Sequence, residues 1–171
     1  MNEVVRGYKV FNPDWTCKGK QYSCPGKFEE DSKLLQYGKG MHFCKRAIDC
    51  FNYYEFNPKN HVAEVIAFGN ILGCNDNYCT NKLKIVREIS WHELLTIVNI
   101  EECNTGLGNV GNHNSDDYNS GDYNSGYYNT GDRNSGNYNS GSYNAGDCNT
   151  GEHNSGDHNT SDFNTGDYNS G

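Results

Sequence analysis

From Asn104 to Gly171 the chain repeats every five residues without a break. Asn recurs at each fifth position from Asn104 to Asn169. The residue after it is Ser or Thr except at Val110 and Ala145, and the next is Gly except at Asp116 and Ser161. The fourth position is mostly Asp or Asn, and the fifth is mostly aromatic or His, as at His113, Tyr118, Tyr123, Tyr138, His158 and Phe163. Such a period matches neither the helix period of about 3.6 nor the strand period of about 2, so neither element can lay one face of this sequence on a core. The recurrent Gly also opposes a helix, by roughly 1 kcal/mol each relative to Ala. A short unit that turns a corner and stacks on copies of itself satisfies the pattern. The fixed phase of the aromatic position separates it from a disordered low-complexity tract.

Read as Gly121, Asp122, Tyr123, Asn124, Ser125, the unit resembles the pentapeptide repeats, in particular an Asn- and Gly-rich subclass of them. The centre is aromatic or His where that family commonly has Leu or Phe. The resemblance implies a right-handed quadrilateral β-helix with four units per coil. At about 4.8 Å per coil, three and a half coils would make a rod of about 17 Å. Two registers are open: the aromatic side chain points inward, or Asn or Ser does and Tyr lies outside. In the second, a ladder of stacked Asn side chains would satisfy amides from coil to coil.

Charge is divided unevenly. Residues 1–100 carry a net of +2, whereas residues 101–171 hold one basic residue, Arg133, against eleven acids, a net of −10. An acidic rod does not bind nucleic-acid phosphate directly by charge. It suits a partner protein with a basic surface, on which it could imitate a nucleic acid, and exposed Asp also keeps a stacked β-structure soluble. The candidate partner-binding residues are Asp122, Asp132, Asp147, Asp157, Asp162 and Asp167. Eight scattered cysteines without a CxxC pair, and the absence of an apolar leader or membrane-length run, predict reduced thiols, a cytoplasmic protein and no metal site.

Ahead of the repeat, residues 1–102 read as a small α+β domain, with the repeat occupying 103–171. Residues 4–11 are a strand rich in β-branched and aromatic residues, and Asn12-Pro13-Asp14 breaks it. A polar segment follows, with Pro25-Gly26 as a turn, and residues 33–38 form a short strand or helical turn. Residues 41–44 read as a buried strand, and residues 45–54 as an amphipathic helix with Ala47, Ile48, Cys50, Phe51 and Tyr54 inward. Strands at 61–68 and 82–89 flank a polar loop over 70–80. Ser90 and Glu93 form a capping box before a helix at about 91–99. This domain is also placed to cap one end of the repeat stack.

The run Gly38-Lys39-Gly40-Met41-His42-Phe43-Cys44, followed by a helix ending Asn52-Tyr53-Tyr54, is similar to a segment of the poly(ADP-ribose) polymerase catalytic fold. Arg6-Gly7 on the first strand is similar to the opening of the arginine-type ADP-ribosyltransferases. That resemblance implies NAD as cofactor. Arg6 would anchor it, His42, where the polymerases have Tyr, would stack on nicotinamide, and Glu88 would steady the oxocarbenium-like ribose. The domain as a whole also resembles one that recurs in bacterial and phage proteins ahead of short repeats.

The leading expectation is a non-enzymatic interaction protein without a cofactor. Its acidic solenoid would bind a partner protein, as a nucleic-acid mimic or phage counter-defence inhibitor. The alternative is an NAD-dependent ADP-ribosyltransferase head with the solenoid as targeting arm. The repeat reaches Gly171 without a polar or helical cap, which predicts a homodimer through the C-terminal coils, or else a chain cut from a longer array.

Overall fold

The computed structural model describes residues 4–37, 39–74 and 76–171. They divide into two compact units, with the division along the chain between Leu94 and Leu95.

The first unit is built almost entirely of strands. In chain order these are β1 (Val5–Phe11), β2 (Thr16–Cys17), β3 (Lys20–Gln21), β4 (Gly26–Glu29), β5 (Met41–Phe43), β6 (His61–Ala67), β7 (Ile71–Cys74), β8 (Asn77–Thr80) and β9 (Lys82–Ile89). A four-stranded antiparallel sheet has the order β1-β6-β9-β4, a three-stranded sheet the order β5-β8-β7, and β2 and β3 form a short hairpin. The expected strands at 4–11, 61–68 and 82–89 are three of the four strands of the larger sheet, the last two at its centre and the first at its edge. Their inward residues, Val5, Phe11, Ala63, Val65, Ala67, Leu83 and Ile85, form the core with Met41 and Phe43. Tyr8 exchanges backbone hydrogen bonds with Cys44, at 2.7 and 2.9 Å, so the chain leaving β5 lies along β1. Gly7 makes this approach possible, because a Cβ there would lie 2.2 Å from the Cys44 carbonyl oxygen.

Three expectations for this unit need correction. The polar loop over 70–80 is the hairpin of β7 and β8, with Leu72 opposite Cys79 and Gly73 opposite Tyr78. The segment from 45 to 54 is a short 3-10 helix at Ile48–Asn52 rather than an amphipathic α-helix. Within the helix only Asp49 and Cys50 are buried, while Phe51 is half-buried and Tyr53, just past it, is exposed, so the apolar stripe that would hold an α-helix on a core is missing. Gly26 opens β4 instead of lying in a turn with Pro25. Residues Ser32–Tyr37 are a 3-10 helix, one of the two forms expected over 33–38, and residue 38 itself lies outside the described residues. The helix α1 (Trp91–Val98) follows β9, with the Ser90 hydroxyl accepting the Glu93 amide at 3.2 Å.

The second unit is a stack of ten-residue turns. Parallel bridges join residues ten apart: Val110 to Ser120, Ser115 to Ser125, and so on to Ser155 and Thr165. Two pentapeptides therefore complete one turn, and the four-unit quadrilateral coil expected from the repeat is overturned, since it would join residues twenty apart. At about 4.8 Å per turn, the unit is roughly twice as long as the four-unit coil would have been. The pattern also starts one unit earlier than its sequence suggests. Asn99 accepts the Asn109 amide at 2.8 Å, and Ile100 bridges to Val110.

Within one unit every backbone N–H is satisfied by a neighbouring turn. Gly121 donates to Val110 O, Tyr123 to Asn112 O and Ser125 to Asn134 O, at 2.8–2.9 Å. Asp122 donates to Asp132 Oδ1 at 2.8 Å and Asn124 to Asn114 Oδ1 at 3.0 Å. Asn and Asp recur because their side-chain oxygens complete an accounting that backbone carbonyls alone leave open. The register with Asn inside and Tyr outside is the one adopted. From Asn112 onward every buried residue is an Asn. Gly recurs for two reasons: Gly131 has φ +101°, and a Cβ there would sit 2.3 Å from the Gly141 carbonyl oxygen.

Candidate functional sites

The surface of the repeat unit carries ladders of rings and of acids. The fifth position of each pentapeptide lies in the left-handed region, with φ of +57° to +61° from His113 to Tyr168, a conformation that L-residues adopt at a cost of about 1–2 kcal/mol. This turns the side chain outward at the corner, where rings one turn apart stack. His113 lies on Tyr123 at 4.7 Å, Tyr118 on Tyr128 at 5.1 Å, Tyr128 on Tyr138 at 5.2 Å and Tyr143 on His153 at 4.8 Å, all within 15° of parallel. Each pair offsets part of that backbone cost, by about 0.5–1.5 kcal/mol. Arg133 occupies a ring position, and its guanidinium lies between the faces of Tyr123 and Tyr143, 5.7 and 5.4 Å from their centroids. The rings remain exposed, Tyr138 by 60% and Tyr168 by 77%.

The six Asp residues expected to bind a partner lie beside these rings, and each has a structural duty. The Oδ1 atoms of Asp122, Asp132 and Asp162 accept the amides of Asn112, Asp122 and Glu152, and those of Asp147, Asp157 and Asp167 accept from Asn137, Asp147 and Asp157, at 2.7–2.8 Å. Alternation every ten residues places the first three on one column and the other three on a second. Asn112 and Asn137 hold the same place with an amide oxygen accepting at 3.2 and 2.9 Å, so the stack needs the acceptor and not the charge.

In the first unit, the three residues expected of a transferase border three different clefts. Arg6, exposed on β1, lines one with Tyr8, Lys45 and Glu64. Glu88 lines another near Pro58 and Trp91, and its carboxylate is held by His61 Nδ1 at 2.6 Å. His61 itself stacks on Trp15 at 4.4 Å and donates from Nε2 to the Pro13 carbonyl. His42, half-buried on β5, faces two adjoining cavities of about 320 and 310 Å³. Burial, and then Lys18 and Lys9 nearby, hold its imidazole below the ordinary value of 6.5.

These two cavities share Lys9, Cys17, Lys18 and His42. Lys9 is only 3% exposed. Its Nζ donates to the His42 carbonyl at 2.8 Å and to Cys17 Sγ at 3.1 Å, and it lies 5.4 Å from the centroids of the Phe11 and Tyr22 rings. The Tyr54 hydroxyl is 2.8 Å from the same sulfur. Burial raises the Tyr22 and Tyr54 hydroxyls well above their usual range. Cys44 and Cys50 line the first cavity as well, and the contact between the two thiols lowers Cys44 and raises Cys50. Sequence reasoning passed over Lys9, yet a signal was present. In a strand with Val5, Gly7 and Phe11 on its inward side, Lys9 takes an inward position. Among the described residues, no three His, Cys, Asp or Glu side chains come together as a metal site.

The chain is thus a strand-rich domain followed by ten-residue turns of Asn-centred pentapeptides. Residues 103–142 and 133–171 match the family model described as pentapeptide repeats (8 copies). Residues 5–97, more than half of the chain, match the model described as domain of unknown function (DUF7666), and the chain belongs to that family. These matches lend no support to the ADP-ribosyltransferase resemblance or to a phage origin. No curated protein and no solved structure matches the chain. Pentapeptide-repeat proteins are commonly protein-interaction modules. Among the described residues, no helix is long and apolar enough to cross a membrane.

Proposed function

We propose that this protein is a non-enzymatic interaction module whose acidic repeat unit binds a partner protein through a basic surface. The observation that carries this reading is a net charge of −10 on residues 101–171, borne for the larger part by Asp carboxylates that the stack holds by one oxygen. Fixed charges lose little freedom on binding, which lowers the cost of association. Arg133 supplies a precedent for the contact, a guanidinium seated between two ring faces. A partner presenting arginines at similar spacing would find rings and carboxylates together along each column. Where that partner is a nucleic-acid-binding protein, the acid columns would act as a mimic of its phosphate ligand, the form an inhibitor in phage counter-defence would take. The transferase alternative, with NAD as cofactor, needs Arg6, His42 and Glu88 around one dinucleotide, and their placement on three clefts weighs against it.

The test replaces Asp122, Asp132, Asp147, Asp157, Asp162 and Asp167 with Asn, which removes six charges while keeping each acceptor. The variant is expected to keep the circular dichroism spectrum of the parent and to lose the proteins that the parent captures. Capture by the parent should weaken steeply between about 0.05 and 0.5 M salt. Equal capture by parent and variant, or capture indifferent to salt, would refute the proposal. Competition by duplex DNA for the captured protein separates the mimic from other basic partners.

A further inference from the structure

We infer that the paired cavities around Lys9 form a binding site for a small organic anion bearing a hydroxyl or amine, a role separate from the partner binding proposed for the repeat. Two unmet polar groups point to such a ligand. The first is the Lys9 ammonium. A charged group this deeply buried ordinarily has a counter-charge, yet among the described residues no carboxylate lies within ion-pair distance of Lys9. Its bonds go to a carbonyl and a sulfur, and the Phe11 and Tyr22 rings lie beside it. The second is Glu30 Oε2. Shielded from solvent, it has no hydrogen-bond partner among the described residues, while the other oxygen is held by Lys20 at 2.5 Å.

Both residues line the second cavity, where Lys18 and Lys39 add positive charge, Lys20 is paired with Glu30, and Glu30 is the one acid among the lining residues. The first cavity opens from the same Lys9 and His42, and its walls are largely apolar, with Val10, Phe43 and Tyr54. Charge, donor and body thus have separate places. The anionic group sits against Lys9, Lys18 and Lys39; the hydroxyl or amine donates to Glu30 Oε2; the apolar body lies along Phe43 and Tyr54. The shared requirement is an oxyanion, which a carboxylate or a phosphate monoester supplies.

The experiment titrates the full chain with mandelate, 2-hydroxy-1-phenylethyl phosphate and the neutral mandelamide, whose hydroxyl lies beside the anionic or amide group and whose ring lies apart, followed by amide and imidazole NMR. Saturable shifts centred on Tyr8, Lys9, Cys17 and His42 are expected with one or both anions, and the better of the two tells carboxylate from phosphate. The amide should bind at least about tenfold more weakly, the size of a lost charged hydrogen bond. With an anion bound, His42 should titrate at higher pH than in the free protein. Lys9→Met should abolish these shifts. Should that variant fail to fold, Lys39→Ala at the exposed rim should still weaken binding about threefold. Shifts that do not saturate, binding of the amide as tight as of the anions, or undiminished binding by both Lys variants would overturn the assignment, leaving a pair of water-filled cavities.

Discussion

Asn129 shows what one rung of the stack has to do. Its Oδ1 accepts both the amide and the side-chain nitrogen of Asn139, at 3.1 and 3.0 Å, while its own Nδ2 donates to the Gly136 carbonyl at 2.8 Å. Asn129→Ala removes all of these and strands a buried N–H on one side and a carbonyl on the other. A loss of about 3 kcal/mol is expected, since each stranded group costs about 1–3 kcal/mol. Hydrogen exchange at the Asn139 amide is the direct readout, and it should quicken more than exchange two turns away. His42 answers to pH instead. Its folded-state value lies below the ordinary 6.5 because burial, Lys18 and Lys9 disfavour the imidazolium. The unfolded chain therefore binds the proton first, and stability falls as pH drops below about 6.5 through the lowered folded value. The lowered carboxyls of Asp14, Glu29, Asp76 and Glu93 act in the same sense but below their ordinary 3.8–4.5. His42→Gln should flatten the denaturation midpoint across the upper window and leave the acid limb in place.

A column of rings behaves as one element, although its members are ten residues apart in sequence. Tyr123, Arg133 and Tyr143 succeed one another on one column, while Tyr128 and Tyr138 belong to the other. Arg133 additionally donates to the Tyr143 hydroxyl. Double-mutant cycles should therefore find Arg133 coupled to Tyr143 by about 0.5–1 kcal/mol and uncoupled from Tyr138, its nearer neighbour in sequence. A four-unit coil would give no coupling across ten residues, so the cycle is an independent check on the number of units per turn. That number was the main thing the repeat concealed. A pentapeptide reports its corner, through Gly and the ring position, but every unit is chemically alike, so nothing within it says whether its partner is two or four units on. Arg133, with Tyr123 and Tyr143 each ten residues away, was the available sign.

Across the molecule, the legible parts were those whose pattern comes from burial on one face. Val5–Phe11, His61–Ala67 and Lys82–Ile89 alternate or run apolar, and all three are strands of the larger sheet. The hairpin at 71–80 was hidden because Gly73, Asn75 and Asp76 give it the composition of a loop, while its pairing with β5 depends on chain far away in sequence. The same holds for the cavity site: Lys9 is visible as an anomaly in its strand, but Cys17, Glu30 and Tyr54 join it only through the fold. Charge, by contrast, could be read completely, and it divides the two units as sharply as their architecture does.

The Asn interior of the repeat unit has a thermal consequence. Unfolding exposes hydrocarbon in the first unit, which raises the heat capacity, but in the second it exposes chiefly amides, which lower it. The stability curve of the repeat should therefore be shallow, with little curvature between cold and warm. Cooling, which weakens an oily core, leaves such a stack nearly as firm as before.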